Sequence, residues 1–220
     1  MDFGHLSPAL ILVTVVSLAL APFVAVMVTS FTKIVVVLSL LRNALGLQQV
    51  PPNVVINGLA IILSIYIMYP VILDSYSAVS ARAGSPSSGQ MDLKRLLDLT
   101  ESGREPLRRF LVRHSSDSER AFFQRTAKKL LPPGKEDVGA EDFIVVVPAF
   151  TVTELTAAFQ IGFLIFLPFL VIDLIVSNIL LALGMMMLSP TTVSLPFKLM
   201  LFVFLSGWAK LVHGLVLTYR

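Results

Sequence analysis

The chain has 220 residues, of which 55% are hydrophobic and 14% charged, and its mean hydropathy is +0.83. Uncharged runs such as 8–28 and 54–73 are long enough to cross a hydrocarbon core, so the sequence predicts an integral membrane protein. The absence of cysteine excludes disulfides, zinc thiolates and thiol catalysis, and the net charge of +3 is too small for a nucleic-acid-binding surface.

The first region, 1–73, is apolar. Its start lacks the basic residues of a cleavable signal, so we interpret the first apolar run as a retained membrane segment. Lys33 and Arg42 follow this run, and the positive-inside rule places this connection in the cytoplasm and the N-terminus outside. The insert that follows the second apolar run is then expected on the periplasmic side.

The second region, 74–142, is a charged soluble insert. It holds 12 of the 17 Lys/Arg and 11 of the 14 Asp/Glu residues. Its first part, 75–90, is rich in Ser, Ala and Gly and predicts a flexible connector. Three short amphipathic helices are predicted after it: one over 91–97, one starting near Pro106, and one capped by Ser116 and Glu119 that buries Phe123, Ala127 and Leu130.

The third region, 143–220, is apolar again and predicts hairpins of packed helices. We expect a helix from 143 to about 172 that is interrupted at Pro168, a continuation over 173–188, and a reversal bracketed by Ser189-Pro190 and Leu195-Pro196 before a last helix over 197–219. Thr151, Glu154, Ala158 and Gly162 form a stripe on one helix face, which favours close approach of another helix or subunit.

Few charges lie within this apolar region, and each has a cost at bilayer depth unless it has a partner. Glu154, Asp173 and Lys198 are the three between 143 and 200. An acid and a base reduce that cost by meeting, so Glu154 and Lys198 are candidates for a pair. The alternatives are that each reaches a polar surface or pairs within one subunit, and that Asp173 makes a packing contact or belongs to a proton path.

Ten sequence blocks together resemble one known family. They are LLRNALG at 40–46, QQVPPN at 48–53, PAF at 148–150, EL at 154–155, AFQIGF at 158–163, PF at 168–169, ID at 172–173, GMMM at 184–187, SP at 189–190 and SLPFK at 194–198. This combination resembles the R component of the type III secretion export apparatus, the SctR/FliP family, and the start of the chain favours the virulence-injectisome branch.

The resemblance implies an all-α membrane protein of bent helical hairpins that assembles into a helical ring. It implies a non-enzymatic pore subunit of the bacterial inner membrane, present in five copies, joined to the S and T components, and traversed by unfolded secreted polypeptides. No cofactor is implied. Hydropathy alone predicts four spanning helices, whereas the family's helices are held largely above the membrane plane.

The resemblance also assigns roles to single residues. Met185, Met186 and Met187 match a methionine gasket that closes the pore, although packing within an apolar hairpin is the alternative. Glu154 and Lys198 match a contact between neighbouring subunits. Separately from the resemblance, Asp173, Arg42 and Asn43 are further interface candidates, and the alternative for Arg42 and Asn43 is that they shape the cytoplasmic-side connection. Many relatives carry Asp before the Gly-Trp pair, where this chain has Ser206, so any contact of that carboxylate cannot be transferred.

Other function classes have less support. The three histidines lie far apart in the sequence, and no nucleotide-binding loop, zinc-protease motif or nucleophile elbow occurs. A secondary transporter for a small solute is the main alternative because it shares broken helices and intramembrane acids, but the chain has no repeated halves. A scaffold with no pore-lining role is the third possibility.

Overall fold

A computed structural model describes residues 8–83, 93–132 and 137–220. These residues form eight helices without a strand, which confirms the all-α prediction. The helices are α1 Pro8–Met27, α2 Phe31–Ala44, α3 Asn53–Ala83, α4 Leu93–Arg113, α5 Asp117–Leu130, α6 Phe143–Ala182, α7 Pro190–Phe204 and α8 Gly207–Leu217.

Helix α2 lies at the centre and packs along α3 and α6. Ile34, Val37 and Leu38 of α2 are fully or almost fully buried, together with Ala60 of α3 and Ala158 of α6. Small residues allow these helices to approach closely, because a Cβ added at Gly162 of α6 would lie 2.2 Å from Leu40 Cδ1. The stripe of small and polar residues predicted on α6 therefore includes a helix contact within the chain.

Helix α6 is continuous over 40 residues, or about 60 Å. The predicted interruption at Pro168 is therefore wrong, whereas the predicted continuation from residue 173 is confirmed as far as Ala182, six residues before its predicted end at 188. A proline removes one backbone donor and bends a helix, but packing can hold the two halves together. Phe169, directly after the proline, is only 5% exposed and packs in a cluster with Leu41, Leu45 and Phe202.

The reversal after α6 also differs from the prediction. It occupies residues 183–189, and Pro190 already begins α7, where a missing backbone donor has no cost. Pro196 lies inside α7. A second break at Leu205–Ser206 divides the predicted last helix into α7 and α8, which meet at a bend of 60°.

The insert is more regular than predicted at its start. Helix α3 continues to Ala83, so a flexible connector over 75–83 is wrong, and the rest of that connector, with Met91, lies outside the described residues. One helix, α4, replaces the first two predicted helices because Pro106 lies within it. Gly103 allows this helix to pack against α3, since a Cβ there would be 3.1 Å from Val79 Cγ2.

Helix α5 is the third predicted amphipathic helix and is confirmed. Ser116 precedes it, but its hydroxyl bonds to Ser118 at 2.7 Å, and the structure shows no side-chain capping bond from it to the helix backbone. Ala127 is buried and Phe123 packs beside it, whereas Leu130 is 79% exposed, contrary to the prediction.

Two single helices of the described chain are long and apolar enough to cross a membrane, in the ranges 53–82 and 143–182. Two bent pairs, 15–27 with 31–44 and α7 with α8, meet the same criteria, each with a bend of 60°. The four spans predicted from hydropathy are thus reached only when each bent pair counts as one span. Helix α3 runs across the predicted region boundary at residue 73.

Candidate functional site

The methionine tip, residues 185–187, lies in the turn between α6 and α7. Helix α6 ends at Ala182 with Leu183 as its C-cap residue, and Gly184 then adopts a left-handed conformation with a φ of +70°, which a glycine does without a steric penalty. The Met185 N–H then donates to the Leu180 carbonyl at 2.9 Å, which fixes the backbone of the turn. The side chains of Met185, Met186 and Met187 remain 48%, 80% and 100% exposed.

An ion pair between Asp173 of α6 and Lys198 of α7 joins the two helices that the tip connects. Lys198 Nζ is 2.6 Å from Asp173 Oδ2 and also donates to the Ala44 carbonyl at 3.3 Å. Ser194 Oγ donates to the other carboxylate oxygen of Asp173 at 2.5 Å. The Lys198 side chain is only 4% exposed, so this group of residues fixes the tip hairpin onto the end of α2.

A second buried ion pair lies near the other end of α2. Lys33 Nζ is 3.0 Å from Glu154 Oε1, with side-chain exposures of 5% and 3%. The Tyr219 hydroxyl donates to Glu154 Oε2, and Lys33 also donates to Thr218 Oγ1 at 3.3 Å. Lys33 Nζ further lies 4.0 Å from the centre of the Tyr219 ring, a cation–π contact. This polar cluster joins α2, α6 and the C-terminal residues.

The structure does not bring the predicted pair Glu154 and Lys198 together within one chain. Each has a different partner in the chain, Lys33 and Asp173 respectively. A contact between subunits is not tested by a single chain and stays a prediction. The topology prediction places Lys33 in the connection between the first two apolar runs. In the structure Lys33 is instead a buried residue of α2 and not part of a loop.

The polar cluster also reaches the insert. The ring centre of Tyr219 is 5.1 Å from that of His114 and 6.1 Å from that of Phe110, both on α4. Burial lowers the pKa of the His114 imidazole to about 4, and the positive charges of Lys33 and Arg113 act in the same direction. The imidazole is therefore neutral at physiological pH and packs as an aromatic ring.

Arg42 and Asn43 shape the turn between α2 and α3. Arg42 Nη1 donates to Asn53 Oδ1 at 2.6 Å and to the Pro51 carbonyl at 3.3 Å. The Asn43 carbonyl accepts the Gly46 N–H at 3.0 Å, and its side chain is exposed. This geometry accounts for both residues within the chain, and their role as an interface stays a prediction.

Sequence reasoning missed Lys33, Thr218, Tyr219 and Ser194 as partners of the charged residues. The sequence does indicate Lys33 as a possible partner of Glu154, because Lys33 is a lone base in an apolar helix just as Glu154 is a lone acid in one. The other three have ordinary sequence surroundings. Among the described residues, no group of three or more His, Asp or Glu side chains has an arrangement that could hold a metal ion.

Comparison with known proteins gives matches over almost the whole chain. The FliP family matches residues 12–215. The chain is 51% identical over 203 residues to the Yop proteins translocation protein R of Yersinia pestis, covering 92% of each protein. It is 49% identical over 213 residues to the hypersensitivity response secretion protein HrcR of Ralstonia nicotianae, covering 96% of this chain and 97% of that protein.

A flagellar relative is also similar. The flagellar biosynthetic protein FliP of Pectobacterium carotovorum is 44% identical over 209 residues, covering 94% of this chain and 77% of that protein. The family match covers more than nine-tenths of the sequence, and these three relatives are 44% to 51% identical to the chain over at least 203 residues. The chain belongs to the FliP family.

Proposed function

We propose that this protein is a pore subunit of a type III protein export apparatus in the bacterial inner membrane. Five copies, together with the S and T components of the apparatus, would surround a path for unfolded polypeptides. Relatives named for translocation and secretion support the apparatus. The observation that carries the pore-lining role is the exposed methionine tip.

The methionine tip has the chemistry of a deformable seal. Its three side chains have little packing within the chain, so their contacts come from neighbouring copies, lipid or a passing polypeptide. Methionine is unbranched and adapts to irregular surfaces, and full burial of one such side chain contributes about 1.5–3 kcal/mol. Tips from several copies would therefore close on one another and open around any sequence.

Substitution of the tip tests this role. Met185→Ala/Met186→Ala/Met187→Ala shortens all three side chains, and we expect a higher ion conductance of membranes that contain the assembled apparatus. Met200→Ala is the matched control, because Met200 is 53% exposed but lies within α7, away from the tip. Equal conductance of the triple variant, the control and the wild type would exclude the seal.

We propose that Glu154 and Lys198 also contact neighbouring subunits, with Asp173, Arg42 and Asn43 at the same interfaces. Lys198 has two acceptors for its three N–H donors among the described residues, and each Glu154 oxygen has one partner there although it can accept more than one hydrogen bond. Both groups keep capacity for a further partner. Oligomer formation by the charge variants described below is the test.

The insert is proposed to lie on the periplasmic side. Arg42 remains as a half-buried base at the end of α2 opposite the insert, which supports a cytoplasmic position for that end. Since the sequence contains no cysteine, single cysteines at Asn43 and Arg125 can be labelled separately with an impermeant maleimide. Labelling of intact spheroplasts at Asn43 and not at Arg125 would reverse the assignment.

A further inference from the structure

A pocket of about 460 Å³ lies between the last turns of α3 and the middle of α4. Ala78 and Ala81 form its α3 wall with Arg82, and Arg108 and Arg109 project from α4. The small α3 residues, together with Gly103 on α4, allow the two helix backbones to approach closely. Arginines from two helices therefore line one concave surface.

The acidic residues of the pocket already have a partner. Arg108 is 2.6 Å from Glu101 and 2.7 Å from Glu105, and the hydrogen bond from Arg108 to Glu101 raises the pKa of this arginine above its ordinary value. By contrast, Arg82 and Arg109 have no hydrogen bond or ion pair in the part of the chain that the structure describes. The lining carries three positive and two negative charges, a net charge of +1, and Arg82 and Arg109 are its two cations without an ionic partner.

Two guanidinium groups without partners on a concave surface favour the binding of a phosphate group. Their planar N–H donors match the oxygens of a phosphate, and such charge-assisted bonds are stronger than neutral ones. The pocket also lies at one end of the candidate membrane span in α3, which is bounded by Arg82 itself. In a bilayer that this segment crosses, the headgroup phosphates would lie near this end.

We propose that Arg82 and Arg109 form a phosphate-binding site between α3 and α4. The ligand is an anionic phosphate group, carried by a phospholipid headgroup or present as free phosphate. Binding would fix the insert helix α4 to the membrane helix α3 at the membrane surface. This site is independent of the methionine tip and of the buried ion pairs.

Native mass spectrometry of the full chain in detergent with added phosphatidylglycerol tests the site. We expect the wild type to retain one lipid molecule and Arg82→Gln/Arg109→Gln to retain about tenfold less, because two charge-assisted contacts are lost. The control variant Arg104→Gln/Arg125→Gln removes the same charge from exposed positions outside the pocket and is expected to retain the lipid.

Two further arms complete the experiment. Displacement of the lipid by excess inorganic phosphate would assign the site to free phosphate, and lipid retention in that excess would assign it to the headgroup; both outcomes support a phosphate site. Arg82→Lys/Arg109→Lys keeps the charge and is expected to restore most of the binding, which separates lost contacts from misfolding. Equal lipid retention by the wild type and the Arg82→Gln/Arg109→Gln variant would overturn the proposal.

Discussion

Replacing one partner of the Lys33–Glu154 pair is expected to destabilise the chain strongly. Glu154→Leu leaves the Lys33 ammonium buried with only Thr218 and the Tyr219 ring as partners. Removing one partner of a buried pair costs about 3–5 kcal/mol, because an uncompensated charge remains in a medium of low dielectric constant. Lys33→Met is expected to cost a similar amount.

The double variant distinguishes this reasoning from a simple loss of packing. Lys33→Met/Glu154→Leu replaces both charges by apolar side chains of similar volume, which is often nearly neutral, so we expect a loss below about 2 kcal/mol. The free energy of unfolding of the detergent-solubilised chain in denaturant measures all three variants. Additive losses, within about 0.5 kcal/mol, would refute the buried pair.

The Tyr219 hydroxyl gives an internal check on the same cluster. Tyr219→Phe removes a hydrogen bond to a charged acceptor and is expected to cost about 1.5–3 kcal/mol. Tyr66→Phe is the matched control, because Tyr66 is 68% exposed and a surface substitution has little effect. Equal free energies of unfolding for the two variants would show that the Tyr219 hydroxyl does not stabilise the polar cluster.

Charge reversal separates folding from assembly. Lys33→Glu/Glu154→Lys exchanges the partners within one chain and is expected to recover stability that Glu154→Lys alone loses. Glu154→Lys/Lys198→Glu tests the proposed contact between subunits, and native gel electrophoresis of the assembled ring measures it. This second exchange places a new carboxylate beside Asp173, so any recovery of the ring by it has to come from a contact across subunits.

Two further predictions concern packing and pH. Gly162→Ala is expected to destabilise the chain by about 1–3 kcal/mol, because its Cβ would meet Leu40 Cδ1 at 2.2 Å, whereas Gly58→Ala, with no atom within 4 Å, is expected to be neutral or stabilising; equal melting temperatures would contradict this packing. Burial lowers the pKa of His114 from 6.5 to about 4. Between these values the unfolded chain binds a proton that the folded chain does not, so stability is expected to fall by up to about 3 kcal/mol from pH 6.5 to pH 4. His114→Asn should remove this loss and His213→Asn, at an exposed position, should retain it; unfolding curves that depend on pH in the same way for both variants would exclude His114 as the cause.

The positions of the apolar helices could be predicted because long hydrophobic runs have few other solutions in a membrane protein. The helix ends were less predictable. Pro106, Pro168 and Pro196 lie inside helices although each was expected to begin, break or end one. Local backbone rules describe an isolated helix, whereas here packing against neighbouring helices can keep a helix continuous through a proline.

The methionine tip and the isolated charges were visible in the sequence, but the partners of the charges were not. Glu154 lies 121 positions from Lys33, and no periodicity connects them. The backbone conformation of Ser206 was also not predictable from the sequence. Its φ of 51° places it in the left-handed region, which Asp tolerates better than most residues. The left-handed backbone conformation by itself thus favours an Asp at this position, as expected in relatives, independently of any contact that its carboxylate makes.

Crosslinking of a stalled secretion substrate tests the pore-lining role most directly. A photoreactive residue at Met186, which is 80% exposed at the tip, is expected to crosslink to the stalled polypeptide in the assembled apparatus. The same residue at Leu130, equally exposed at 79% but on the insert, is the control and is not expected to crosslink. A crosslink at Leu130 with none at Met186 would contradict the proposed path past the methionine tip.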